Sequence, residues 1–217
     1  MTTFSSVNKK EKLKWLDGKI NIETLSELQI QKFLFFTEMF NKNVGIDYDL
    51  TKLRAYEKGP VFSDVYGDIR HDKTELVSDF SELNPEFHEE ELKNLKTALF
   101  LTKVHTDKEL SKLTHIFDLW KSKKERIKQN ESQIPILDQD ITKKDLNIIN
   151  EIFKSTVNRD IDDYKIIKIE DKIFLIKMDE LHLLKEDHNQ TLELLSKDSD
   201  LVNPVYVTFE EGVMIID

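Results

Sequence analysis

Four short groups of residues carry side chains that could do chemistry. His182 and His188 stand close to Glu186 and Asp187, and imidazoles with carboxylates are common ligands of a transition metal. Asp160-Ile161-Asp162-Asp163 gathers three carboxylates, the oxygen donors that Ca²⁺ and Mg²⁺ prefer. Lys121-Ser122-Lys123-Lys124-Glu125-Arg126-Ile127-Lys128 holds five basic residues, suited to an acidic partner or a phosphate backbone. His115, between Thr114 and Ile116, has a side chain able to move a proton.

Each group lacks what its chemistry needs. The two histidines are six apart, whereas one face of a helix presents ligands three or four apart, so they read as solvated side chains. The aspartate run has no turn glycine and no later bidentate glutamate, and reads as an exposed acidic turn ahead of a strand. The basic run falls at a helix C-terminus, where cations complement the helix dipole; a docking face is its second reading. A lone histidine on an apolar stripe reads as packed and hydrogen-bonded. Gly59 and Gly67 are isolated, so neither the dinucleotide nor the P-loop spacing exists, and there is no nucleophile elbow and no His-Glu-x-x-His pair. With no cysteine, thiolate nucleophiles and cysteine zinc sites are excluded as well. No catalytic residue, cofactor or metal is assigned, and the one enzyme reading left would assemble Tyr56, Tyr66 and His115 from distant segments.

The elements that carry these residues follow from composition and pattern. The chain has 217 residues, with 42 acidic against 32 basic, a formal charge of −10. A surface so acidic argues against generic nucleic-acid binding, which requires neutralising phosphates. No apolar run approaches the ~20 residues of a spanning helix, and the N-terminal stretch has no apolar segment of signal-peptide length, so a cytoplasmic protein without a membrane partner is expected. Five glycines and four prolines leave little turn chemistry and point to long helices. The acid is unevenly placed. Residues 158–217 hold seven basic and fifteen acidic residues, a net −8, and the rest is close to neutral.

From Ile22 to Asn41, Leu25, Leu28, Phe33, Phe36 and Phe40 recur at helical spacing, and Gly45 ends the segment. Asn84-Pro85 signals a helix start, Thr106 to Glu109 and Thr142 to Asp145 open two more, and Leu110, Leu113, Phe117 and Trp120 form one stripe. Beyond residue 158 the pattern turns β-branched. Two hairpins are expected, around Glu170-Asp171-Lys172 and around Glu210-Glu211-Gly212, pairing into a small antiparallel sheet with a short helix near Leu181 to Leu195 between them. The fold class is mainly α within α+β. A helical region of five to seven helices spans residues 1–157, and an acidic, β-hairpin-containing extension spans 158–217, either separate or packed on the helices.

Three segments together resemble one family. Ile30-Gln31-Lys32-Phe33-Leu34-Phe35-Phe36 is similar to the Leu-Gln-Lys-Leu-Leu-Tyr-Phe helix of the Panacea domain, the family that includes SocA-like antitoxins. Tyr56, Lys58, Gly59, Pro60, Val61 and Tyr66 resemble its Gly-Pro-Val segment, although Tyr56 stands where Trp is frequent. Leu110, Ser111, Leu113, Thr114, His115 and Trp120 resemble its Leu-Ser-x-Leu-Thr-His segment ending in Trp, although Leu119 stands where Pro often precedes the Trp. The resemblance covers about Ile22 to Phe153 and leaves the acidic extension unexplained. It implies a non-enzymatic, antitoxin-like protein of bacteria or their phages that binds and neutralises a cognate toxin. Delivery of a toxin to a protease, or phage or mobile-element regulation of a host target protein, are the alternatives.

From the residues themselves, Gly59-Pro60 is expected to form a turn, with Val61, Val65 and Tyr66 restarting a helix after it. The signature is concentrated on residues that would specify fold as readily as function.

Overall fold

A computed structural model describes residues 3–217. Among them run nine α-helices and seven strands in a mixed α+β arrangement. The first part comprises α1 (Val7–Lys19), α2 (Glu27–Val44), β1 (Leu53–Tyr56), β2 (Gly59–Phe62), α3 (Ser63–Ser81), α4 (Glu89–Lys103), α5 (Asp107–Thr114), α6 (Asp118–Lys121), α7 (Lys124–Lys128), β3 (Ile134–Pro135) and α8 (Lys143–Thr156). The remainder comprises β4 (Tyr164–Ile169), β5 (Lys172–Lys177), α9 (Glu186–Leu195), β6 (Val205–Glu210) and β7 (Val213–Ile216). None of the described helices is long and apolar enough to cross a membrane.

The central element is α2. Ser26 and Gln29 close a capping box at its start, each side chain accepting the other's backbone N–H at 3.1 Å. Gly45 ends it in the left-handed region at φ 79°. Between them every residue from Ile30 to Asn41 is buried, and a helix with no solvent face belongs at the middle of a bundle. It packs against α4, α8 and β2, and Phe35, Phe36, Phe40, Phe117 and Phe153 form a chain of ring contacts along it.

Several local expectations need correcting. The first helical turn of the expected Ile22–Asn41 segment is a separate 3₁₀ turn at Ile22–Thr24, because Asn21 and Ser26 each cap their own start. Asn84-Pro85 lies in the loop before α4, which opens after His88. The helical region has eight α-helices rather than five to seven, since α6 and α7 are single-turn pieces of four and five residues. The Leu110–Trp120 stripe is likewise broken. α5 stops at Thr114, and α6 restarts where the buried Asp145 carboxylate accepts the Asp118 N–H at 2.6 Å and the Leu119 N–H at 3.3 Å.

The largest correction concerns residues 53–62. Gly59-Pro60 is not the turn. Glu57-Lys58 makes it, Tyr56 pairs with Gly59, and β1 and β2 form a hairpin, to which β3 adds on the far side of β1. Val61 is therefore in a strand, and the helix resumes at Ser63.

In the extension both hairpins form, each with a two-residue connection rather than three. The four strands make one sheet in the order β4-β5-β6-β7, but its central pair, β5 with β6, is parallel. The expected all-antiparallel pairing fails because α9 lies between those strands and returns the chain in the same direction, as a parallel pair requires. One sheet face packs on α9 through Phe174, Ile176, Leu192, Val205 and Val207. The other places Ile173, Leu175, Tyr164 and Ile166 on Phe100 of α4 and on Val104 at its C-terminal end. Asn203 adds a polar tie, donating to the Glu109 carboxylate at 3.0 Å while accepting from the Ile173 N–H at 2.7 Å.

Candidate functional site

Gln31, Lys32, Thr114 and Trp120, from all three of the segments singled out in the sequence, meet at the β1–β2 hairpin. The outer edge of β2, turned away from β1, is completed by side chains of α2. Gln31 Oε1 accepts the Phe62 N–H at 2.8 Å, and Gln31 Nε2 donates to the Phe62 carbonyl at 3.4 Å. Lys32 Nζ donates to the Pro60 carbonyl at 2.9 Å. Pro60 brings no N–H to that edge, so the position that would otherwise leave a buried donor unmet has none. Two helix side chains thus stand in for a missing strand.

Gly59 is required on two grounds. Its φ is +106°, a region L side chains rarely adopt, and a Cβ there would lie 2.6 Å from Lys32 Nζ and closer still to Thr114 Oγ1. Thr114 is in turn held by the Leu110 and Ser111 carbonyls at 3.2 and 3.0 Å. On the other side of the hairpin, Trp120 Nε1 donates to the Tyr56 carbonyl at 2.9 Å, with His115 stacked on the indole at 3.6 Å between centroids.

Beside this clamp opens a cleft of about 520 Å³. Gln31 and Lys32 of α2, Tyr56, Lys58 and Val61 of the hairpin, and Tyr66 of α3 line it. The Tyr56 and Tyr66 rings lie 5.6 Å apart, and the Arg70 guanidinium sits 5.4 Å over Tyr66 while pairing with Glu27 at 2.9 Å. Sequence reasoning missed Leu28, Arg70, Glu27 and Asp107 in this wall. Only Arg70 left a signal, four residues after Tyr66 on one helix face.

The other signature residues stay out of the cleft. Leu110 is buried core, and Leu113 faces a separate cavity with Phe100 and Ile152. Of the dispersed trio, Tyr56 and Tyr66 come together, whereas His115 lies behind Trp120 and does not line the cleft. Burial, with the Lys32 charge nearby, holds the His115 imidazole below its usual value, and its Nε2 is buried without a hydrogen-bond partner.

No protein-family model, curated protein or solved structure matches this chain.

Elsewhere the candidate groups are locally engaged. In the basic run, Lys123 pairs with Asp140 at 2.9 Å, Arg126 with Glu131, and Lys128 with Glu125 at 2.8 Å. In the aspartate run, Asp160 pairs with Lys96 at 2.7 Å and Asp162 with Lys19 at 3.3 Å, so this acidic turn ties the extension to α4 and α1. His182 Nδ1 bonds the Asp179 carbonyl, and His188 Nδ1 accepts the Lys185 N–H within its own helix cap.

Proposed function

We propose that the protein is an antitoxin-like binding protein that neutralises a partner toxin by direct contact. The observation that carries this reading is the convergence of the three Panacea-like segments. Residues as distant in sequence as Gln31 and Trp120 close on one hairpin, and each captures a backbone group of it. Such a framework holds the same surface shape whatever the exposed residues are, which suits a scaffold whose partner is chosen by its surface. Co-expression with the product of the adjacent gene tests it. The neighbour should be toxic alone, harmless with this protein, and recovered with it as a complex. A harmless neighbour that forms no complex would sink the reading.

The acidic extension favours a second reading, a phage or mobile-element regulator that occupies a host factor by charge. Here the net −8 of residues 158–217 is the working surface. Truncation is a poor test, because removing the sheet uncovers Phe100 and Val104. Substituting the exposed Glu193 and Glu211 with Lys keeps the fold, and should weaken partner binding with a steep salt dependence. Unchanged binding at low salt would exclude the extension as the contact surface. Delivery of a toxin to a protease is separated from both by following toxin half-life, which direct inhibition leaves unchanged.

A further inference from the structure

Three lysines are fully buried among the described residues, and two of them have an anion. Lys9 meets Asp64 at 3.0 Å and Asp49 at 3.1 Å, and Lys12 meets Glu38 at 2.6 Å. Lys32 has the Pro60 carbonyl as its hydrogen-bond acceptor, and no described carboxylate lies within ion-pairing distance of it. An ammonium has three donors, and an uncompensated buried charge is expensive. Completing the β2 edge explains one of those donors.

Lys32 also differs from Lys9 and Lys12 in where it is buried, since it forms part of the wall of the 520 Å³ cleft. The carboxylates around that cleft do not reach it. Glu27 is held by Arg70, Asp107 accepts from Ser26 Oγ at 2.9 Å, and Glu57 is at the exposed hairpin tip. Lys58 and Arg70 stand beside these carboxylates and leave the rim close to balanced, so the cation of the lining without a counter-charge is Lys32, and a single negative charge matches it. A single negative charge on an apolar stem is what Lys32 and the walls of Leu28, Tyr56, Val61 and Tyr66 fit.

We propose that this cleft binds a carboxylate, presented by an acidic side chain of a protein partner or by a small free acid, with the Lys32 ammonium as its counter-charge. The bound anion does for Lys32 what Asp64 and Glu38 do for Lys9 and Lys12. This inference stands apart from the identity of any toxin. Because burial holds the Lys32 amine near 7, binding carries a proton with it. The other charged groups of the cleft are Lys58, Arg70, Glu27, Glu57 and Asp107, and His115 stands behind Trp120 with its imidazole held below its usual value by burial and the Lys32 charge.

The test uses the whole protein with ¹³C-labelled lysine, following the Lys32 side-chain resonance against pH. One arm adds phenylacetate. A second adds an acetylated, amidated Phe-Asp-Phe peptide, whose one carboxylate is the Asp side chain. Phenylacetamide is the neutral control. A carboxylate should raise the Lys32 titration midpoint by roughly one pH unit or more, equivalent to about a tenfold preference for the charged form, and the amide should not. Affinity should fall about tenfold per pH unit above the free midpoint. Tighter binding of the peptide assigns the site to a protein partner, and tighter binding of phenylacetate to a free acid. A Lys32 titration unmoved by both carboxylates at tens of millimolar overturns the proposal and leaves Lys32 a structural donor. So does binding that persists in Lys32→Met. Should that variant not fold, the wild-type titration decides alone.

Discussion

Along the seam that α1 makes with α3 and α2, Lys9 and Lys12 are buried with carboxylates at 3.0 and 2.6 Å, while at the hairpin clamp Lys32 is buried with a carbonyl at 2.9 Å. The same side chain is desolvated in both places. In the seam the lost hydration is offset by charge, and hydrogen bonds spread the compensation further. Glu38 also accepts the Asp49 N–H at 2.8 Å, and Lys9 also donates to the Thr51 carbonyl at 2.9 Å. Burial alone would raise the Asp49 carboxyl, yet hydrogen bonds from Ser6 and Thr51 and the Lys9 charge bring it down to about 2. In the clamp no counter-charge opposes desolvation, and the Lys32 amine falls to about 7. Paired burial fixes a charge in place, and unpaired burial leaves its protonation open.

The seam should be the more fragile of the two to a single substitution. Lys12→Ala leaves Glu38 buried without a counter-charge, and breaking a buried pair from one side costs about 3–5 kcal/mol. Burial already pushes the Glu38 carboxyl up despite Lys12, so in the variant it should protonate more readily and the deficit should shrink as pH falls. Urea unfolding at neutral and mildly acidic pH measures both. The double variant Lys12→Met, Glu38→Leu should recover most of the loss, because replacing both partners leaves no orphan charge. A double variant as unstable as the single one would show that the seam depends on the ion pair rather than on filling space.

In the clamp, Gly59→Ala is next in size. It forces a Cβ at φ +106° against Lys32 Nζ and Thr114, so backbone strain and displacement of the Lys32 hydrogen bond act together, at about 2–3 kcal/mol. Trp120→Phe should cost less, about 1 kcal/mol, since it keeps the ring and deletes the one hydrogen bond to the Tyr56 carbonyl. If Trp120→Phe proves as damaging as Gly59→Ala, the hairpin is held by Trp120 and not by the α2 side chains.

How far the sequence revealed these regions follows from the range of the signals. The capping box at Thr106 and Glu109, the one at Thr142 and Asp145, the Gly45 stop and both C-terminal hairpins are written in residues a few positions apart. The β1–β2 hairpin is not anticipated, because Gly59-Pro60 is a strong turn signal and the segment reads as a turn followed by a helix. Its real reason, a tight approach of Lys32 and Thr114, lies 27 and 55 positions away. The parallel β5–β6 pair is equally non-local, as is the docking of the sheet on Phe100 and Val104. Gln31 and Lys32 were legible as signature residues but not as strand-capping groups. Nothing in a helical Gln-Lys pair says that it will be buried, since charged residues are almost never fully buried unless paired.

The smallest expected change in stability at neutral pH, and the sharpest contrast between the two regions, belongs to Lys32→Met. The substitution removes the donor to the Pro60 carbonyl, a loss of about 1 kcal/mol, but also removes an unpaired ammonium, and the two effects act in opposite directions. The pH dependence separates them. A buried lysine whose folded-state value is depressed holds fewer protons in the folded than in the unfolded chain between about 7 and the ordinary lysine value, so folding stability rises with pH across that window. The slope from this one group approaches about 1.4 kcal/mol per pH unit in mid-window. Lys103 and Tyr56, whose values burial also shifts, contribute to the absolute curve in both proteins and cancel in the difference. Wild type should therefore gain stability over Lys32→Met from pH 7 to pH 9. Parallel curves would mean that Lys32 keeps its proton in the folded protein, and that the clamp holds its charge as firmly as the seam does.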